Sequence, residues 1–235
     1  MRLILPFILM AGCYGCGIFK PSAKYQFSDG YYNASGTGNM RKVYIHNDDD
    51  LIRAYPVSKV AARKHVDTMQ ARALVYGNVA PGSLSQSPVF TKGSFDIDFL
   101  TVPIKYRFPA EGVTRQLNAN LNGGLYLGYR KDFYILRYNV SPIGISKRTI
   151  THLGFSVGTY MGFGNTFVSP HVTSGAVQSE YDGVVFNRGI AAIAALNQFT
   201  AGVAIGWDRL MDGNHGSWVY NNRPWLGLVF GLNLN

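Results

Sequence analysis

The last stretch of the chain, Pro224 to Asn235 (PWLGLVFGLNLN), alternates with period two. Leu226, Leu228, Phe230, Leu232 and Leu234 fall on one side, and Trp225, Gly227, Val229, Gly231, Asn233 and Asn235 on the other. Successive side chains of a strand point to opposite faces, so this run reads as a strand with one apolar face and one small or polar face.

The same rhythm recurs upstream. Leu100, Val102, Ile104, Tyr106 and Phe108 oppose Thr101, Pro103, Lys105 and Arg107. Just before them the phase is inverted, with Phe95, Ile97 and Phe99 against Asp96 and Asp98, which reads as a bulge or the point of membrane entry. Leu117, Ala119, Leu121, Gly123, Leu125, Leu127 and Tyr129 make a second stripe, opposite Asn, Gly, Tyr126 and Arg130. Leu153, Phe155, Val157, Thr159, Met161 and Phe163 make a third, opposite Gly, Ser156 and Tyr160. A fourth runs through Val184, Phe186, Ile190, Ala192, Ala194 and Leu196, and a fifth through Phe199, Ala201, Val203, Ile205 and Trp207. The terminal strand is the sixth.

Which face lies inside decides the class of protein. In a soluble lipocalin-like barrel the apolar face points inward, and the outer face then carries Lys, Glu and Asp on most strands. Here the second face is Gly, Asn, Ser, Thr and Tyr with few charges, and Arg188 is the one charge on the apolar stripes. The pattern therefore predicts an all-β fold, an antiparallel up-and-down transmembrane β-barrel with its apolar face toward lipid. Six strands are legible, and eight are expected because closed membrane barrels usually have at least that many. Arg188 is then expected near a rim, because a basic residue on the lipid face costs about 2–4 kcal/mol at mid-bilayer and little near the interface.

Composition agrees with that choice. Glycine (27) and tyrosine (15) are abundant and charged residues make up only 15%, as alternating membrane strands require. No segment approaches the roughly 20 apolar residues of a transmembrane helix, which excludes a helical membrane protein. The net charge of +9 is concentrated toward the N-terminus, with +6 over residues 1–92 and +3 over 93–235. No basic, aromatic-interleaved cluster accompanies it, so nucleic-acid binding is not expected. Attraction to anionic lipid head groups is the better use of that charge.

Residues 1–16 read as a signal peptide: Arg2, the apolar run Leu3–Met10, then Ala11-Gly12-Cys13. Met10-Ala11-Gly12-Cys13 resembles the lipobox of bacterial lipoproteins, with Met where Leu is usual, and implies acylation at Cys13. Acylation at Cys16, a Cys-x-x-Cys redox or metal pair, a disulfide, and loss of both cysteines with an ordinary signal peptide remain open. Residues 17–57 read as a small β unit. Lys42–His46 and Leu51–Pro56 are its strands, joined by an Asn47-Asp48-Asp49-Asp50 turn without the spacing of a calcium loop. Residues 58–92 read as a basic linker, part helical over Ser58–Tyr76, where Val60, Val66, Met69, Ala73 and Leu74 share a side away from Lys59, Arg63 and Lys64. The barrel is expected over 93–235.

The run from Ser94 to Asn235, with its Tyr181–Val185 segment (YDGVV) and its PWLGLVFGLNLN close, resembles small outer-membrane β-barrel proteins of Gram-negative bacteria. The resemblance covers about three-fifths of the chain. It implies an outer-membrane location, contact with outer-membrane lipids, and engagement of the barrel-assembly machinery by the last strand. That family often ends in an aromatic residue, whereas this chain ends in Asn235. Short periplasmic turns and long external loops then orient the chain. Asn197-Gln198 and the N-terminal unit fall on the periplasmic side; Pro109–Gln116, Asn165–Ser179 and Met211–Arg223 fall outside. Lys131–Arg148 is long for a periplasmic turn and has room for a further strand pair.

The inner face carries the candidate site. Lys105, Arg107 and Asp208, with Asp182 beside them, form an expected lumen charge network, packed by Tyr126, Tyr160 and Trp225. Leu226, Leu228, Phe230, Leu232 and Leu234 are the expected lipid-facing positions of the last strand. His152, Ser156 and Asp208 are the groups an outer-membrane lipid-modifying enzyme would use, but no Gly-x-Ser-x-Gly or HExxH stands in the sequence. The expected function is a non-catalytic, side-chain-plugged barrel with a structural or surface-loop role and no cofactor or metal. A soluble lipocalin-like carrier of an apolar ligand, a small porin and a lipid-modifying enzyme are the alternatives. The external partner is not named by the sequence.

Overall fold

The computed structural model describes residues 27–36, 41–48, 51–60, 63–68, 74–76, 87–140, 142–143, 146–197 and 199–233. The signal-like segment with Cys13, and Leu234, lie outside them. Five strands come from the N-terminal region: β1 (Gly30–Ser35), β2 (Lys42–Asp48), β3 (Leu51–Val60), β4 (Arg63–Val66) and β5 (Leu74–Tyr76). Seven follow: β6 (Val89–Arg107), β7 (Gln116–Ala119), β8 (Asn122–Val140), β9 (Ser146–Val168), β10 (Tyr181–Leu196), β11 (Phe199–Leu210) and β12 (Pro224–Asn233).

All pairings are antiparallel, and the sheet is partly ring-closed. It runs β6–β8–β9–β10–β11–β12 in order, and β12 returns to β6 through Trp225↔Arg107, Leu228↔Ile104 and Asn233↔Asp98. β7 precedes β8 on the same edge of β6, against Ile104–Arg107. Among the described residues the ring closes through six strands, not eight. The described residues of Lys131–Arg148 form no extra pair, because β8 and β9 simply run on and pair as far as Val140↔Ser146.

Facing glycines permit so tight a ring. Gly128 opposes Gly158 and Gly124 opposes Gly162 across β8 and β9. A Cβ at Gly158 would run into the Leu127 carbonyl, and one at Gly162 into that of Gly123. At these two positions the neighbouring backbone lies too close for an inward Cβ.

At 19, 19 and 23 residues, β6, β8 and β9 outrun the rest of the ring. Their protruding ends continue the sheet into the N-terminal strands, since β1 pairs with β6 through Asn33↔Thr91 and Ser35↔Val89. Tyr32, Val43, Ile45, Ile52 and Ala54 then bury a common core with Phe90, Tyr134 and Leu136. Asp29 fastens its edge. Its carboxylate accepts the Asn47 backbone N–H at 2.7 Å and contacts His46 Nδ1 at 2.8 Å, which holds its pKa below the usual aspartate value.

Three expectations change here. Residues 58–60, 63–66 and 74–76 are strand, not helix: β3 and β4 form a hairpin with Val57↔Val66 and Val60↔Arg63 in register, and β5 adds to the other edge of β3. Pairing to a neighbouring strand outweighed a weak helical stripe in a segment rich in β-branched valine. The 58–92 linker also ends early, because Val89–Lys92 already belong to β6. Third, the phase slip of β6 lies later than expected. Leu100 and Val102 are buried inside the ring, and the register to β12 shifts between Leu228↔Ile104 and Phe230↔Thr101. The extra residue is taken up beside Pro103, which lacks the N–H that a regular ladder would need.

Elsewhere the period-two faces fall as expected. Leu121 (82% exposed), Leu125, Leu127, Phe155, Val157, Met161, Phe163, Ile190, Phe199, Val203, Leu226, Leu228 and Phe230 lie on the outer surface. Arg188 shares that surface but stands midway along β10 rather than at its end, where a rim position was expected; it is in register with Met161 and Trp207 and flanked on its own strand by Phe186 and Ile190. Among the described residues no helix is long and apolar enough to cross a membrane, which says nothing of strands.

Candidate functional site

The polar groups the sequence placed on the inner face converge inside the ring in two layers. The upper layer is built by β6, β11 and β12. The bulge at Pro103 turns Lys105 and Arg107 inward, and both are 2% exposed. Asp208 on β11, fully buried, lies between them. Lys105 Nζ donates to both carboxylate oxygens at 2.9 and 3.0 Å, and Arg107 Nη2 donates to Oδ2. Trp225 Nε1 donates to Oδ1 at 2.8 Å. Lys105 also reaches Asn122 Oδ1 at 2.9 Å, which accepts from Asn187 Nδ2 at 3.3 Å. The Lys105 ammonium sits 4.5 Å from the Trp225 ring centroid, and the Arg107 guanidinium 5.0 and 5.3 Å from those of Trp218 and Tyr220.

One carboxylate thus takes hydrogen bonds from two cations and an indole. A charge removed from water is tolerated only with such partners. With both oxygens occupied by donors, Asp208 is committed to holding strands together. Tyr126, Tyr160, Leu100, Val102, Ile193 and Trp225 pack the space around this layer.

The lower layer sits toward the N-terminal unit. Arg130 Nε donates to Asp132 Oδ1 at 2.6 Å, and His152 Nε2 contacts the same oxygen at 2.8 Å. The Tyr134 ring lies 4.9 Å from the His152 ring. Ser156 Oγ and the Tyr126 hydroxyl share a hydrogen bond of 2.8 Å. Asp96 and Asp98 are buried on β6 nearby, with Ser94↔Arg130 and Asp96↔Gly128 in register.

His152 and Ser156 share a face of β9, but four steps along the strand set them roughly 13 Å apart. His152 faces Asp132, Ser156 faces Tyr126, and Asp208 belongs to the upper layer. These three groups do not assemble a nucleophile and its base. Among the described residues no group of three or more His, Cys, Asp or Glu could hold a metal ion.

Above the upper layer the three long loops fold over the end of the ring. Val113, Val172, Trp218, Val219 and Tyr220 share a core with Val168, Val185 and Leu210. Val219 N–H donates to the Val172 carbonyl at 3.0 Å, the Tyr220 hydroxyl to the Thr114 carbonyl at 3.1 Å, and Arg223 to Glu111 at 2.9 Å.

Asp182 does not join the network. It is exposed at the start of β10 and shares its outward phase with Val184 and Phe186. At this end the Asp212 carboxylate accepts from the Tyr181 hydroxyl at 2.7 Å and caps the short turn at Gly213–Gly216. Leu226, Leu228 and Phe230 point outward, and Leu232 lies on β12 in register with Phe99. The reading of the sequence missed Asp132, Asn122 and Asn187. Extending the period-two phase of β8 beyond Arg130 would have found Asp132; the asparagines carry no signal until their neighbours across the ring are known. No family model, no curated protein and no solved structure matches the chain.

Proposed function

We propose that this chain is an integral outer-membrane β-barrel without a catalytic role, closed by its own side chains and presenting a packed loop cap at the surface. The observation that carries this reading is the inverted distribution of polarity. Lys105, Arg107, Arg130, Asp96, Asp98, Asp132 and Asp208 are buried, whereas Leu117 (73% exposed), Leu121 (82%), Phe199 (67%), Phe95 (62%) and Phe163 (59%) are not. Soluble monomers rarely expose a contiguous apolar patch beyond about 300–600 Å². Here the apolar residues extend over the outer faces of all six ring strands. A lipocalin-like carrier needs the opposite arrangement, with the apolar faces lining a ligand cavity.

A closed ring leaves no unpaired strand edge in the hydrocarbon, which is the condition a membrane sheet has to meet. The tight Leu196–Phe199 connection and the N-terminal β unit stand at one end of the ring, and the long loops stand at the other. The first end is assigned to the periplasm and the second to the outside. Cys13 is the proposed acylation site, and β12 the strand read by the assembly machinery. Outer-membrane lipids are the one partner class this surface demands.

Heat-modifiable migration in SDS gels, combined with resistance to carbonate extraction, tests the reading. A folded barrel runs faster unheated than boiled and stays with the membrane pellet. Release into the soluble fraction overturns it.

A further inference from the structure

We infer that the outer surface of the junction between the N-terminal unit and the ring is a binding site for the phosphate head group of an anionic glycerophospholipid. The inference rests on the membrane reading above and deepens it. A pocket of about 450 Å³ opens there, lined by Tyr31, Asn33, Lys42, Lys64, Thr91 and Lys92 among others. Lys42 of β2 and Lys64 of β4 stand on its outer side, whereas Lys92 of β6, in register with Asp132, takes the inward phase. No acidic side chain lines the pocket among the described residues.

The Lys64 ammonium is held over a ring, with Nζ 4.3 Å from the Tyr31 ring centroid. Rings attract cations without neutralising them, so the positive field of the pocket persists. The Lys42 and Lys64 ammonium groups and the Asn33 amide offer a phosphate diester its donors.

The position of the pocket selects a lipid over a free anion. On the outer face of β6, Thr91 and Gly93 at the pocket are followed by Phe95, Ile97 and Phe99, all three exposed. Across the ladder, Phe133, Lys131, Tyr129, Leu127 and Leu125 keep step with them. The surface thus turns from basic to apolar within one pair of residues, at Gly93↔Lys131. Tyr129, 67% exposed, lays its hydroxyl over Gly93 so closely that a Cβ there would not fit. A lipid with its phosphate among the lysines would run its acyl chains along Phe95, Ile97 and Phe99. Tyrosine at such a boundary puts an apolar ring in hydrocarbon and a hydroxyl at the head groups.

The test uses the full chain in detergent micelles, with folding checked by heat-modifiable migration of each sample. Native mass spectrometry follows retention of phosphatidylglycerol and phosphatidylcholine, and calorimetry follows soluble glycerol 3-phosphate. Phosphatidylglycerol should be held preferentially. Each lysine near an anionic head group contributes about fivefold, so Lys42→Gln or Lys64→Gln should lose about fivefold. The Lys42→Gln, Lys64→Gln double variant should lose about 25-fold. Arg223→Gln, in the cap at the far end, should lose nothing. Equal retention of both lipids, full retention by the folded single variants, or glycerol 3-phosphate bound as tightly as the lipid would each overturn the site while leaving the barrel intact. A chain that stays soluble without detergent overturns the barrel and the site together.

Discussion

Trp225 donates its indole N–H to the Asp208 carboxylate at 2.8 Å, from one strand to its neighbour inside the ring. The same indole lies under the Lys105 ammonium. The ring that fills the space and the donor that satisfies the charge are therefore one side chain. Trp225→Phe keeps most of the filling and deletes the donor. A hydrogen bond to a charged group contributes about 1.5–3 kcal/mol, and the variant should be destabilised by that amount. Asp208→Ala should be worse, by about 3–5 kcal/mol, because it leaves Lys105 and Arg107 buried without their shared anion. The midpoint temperature of heat-modifiable migration measures both, and equal midpoints for wild type and Asp208→Ala would refute the network.

Gly162→Ala should be disproportionately harmful for so small a change. The added methyl collides with the Gly123 carbonyl of the neighbouring strand rather than with a movable side chain. Gly112→Ala supplies a control of another kind, since a Cβ there meets nothing within 4 Å although its φ is +84°. That variant should cost only the local strain of the left-handed backbone, about 1 kcal/mol. Refolding yield into detergent should fall sharply for Gly162→Ala and little for Gly112→Ala.

How much of this could be read from the sequence depends on whether a feature is local in one strand. The outward faces of β8 through β12 follow from alternation alone, because burial on one side fixes the phase of every residue. The pairing of Lys105 and Arg107 with Asp208 was legible as a demand, since buried opposite charges need one another, even before the strands were assigned neighbours. Asp182 was misjudged by ignoring the phase of its own strand. The position of the bulge at Pro103 and the closure through six strands are non-local. They depend on how many residues β6 sets against β12, and on glycines that meet only across a ladder. The β3–β4 hairpin was hidden for a related reason, since the valines of residues 57–66 fit either period until a partner strand selects one.

Leu228→Arg and Phe230→Arg each put a cation on the outer face of the closing strand. At mid-bilayer such a change costs about 2–4 kcal/mol, so membrane insertion should fail or drop steeply for both. Trp225→Ala lies on the inner face of the same strand, and its side chain is fully buried. It should still insert but melt earlier, since emptying a buried tryptophan site costs about 3–5 kcal/mol. Fractionation separates the two classes, with the arginine variants missing from the carbonate-resistant pellet and the alanine variant present in it. Identical behaviour would reverse the assignment of inside and outside.

The final expectation concerns conductance. Barrel diameter grows with strand number, and even eight strands leave an interior only wide enough to be filled by side chains. A six-stranded ring is narrower still, and its interior holds Tyr126, Tyr160 and Trp225 with the Lys105, Arg107 and Asp208 cluster. Above that layer Trp218 and Tyr220 bear on the Arg107 guanidinium, so the cap and the network obstruct the same path in series. The protein in planar bilayers should therefore carry no steady current. Trp218→Ala combined with Tyr220→Ala loosens the cap but leaves the Asp208 layer in place, so that variant should also remain silent. Reproducible open channels in the wild type would make the chain a small porin. Channels in the cap variant alone would move the seal from the charge network to the loops.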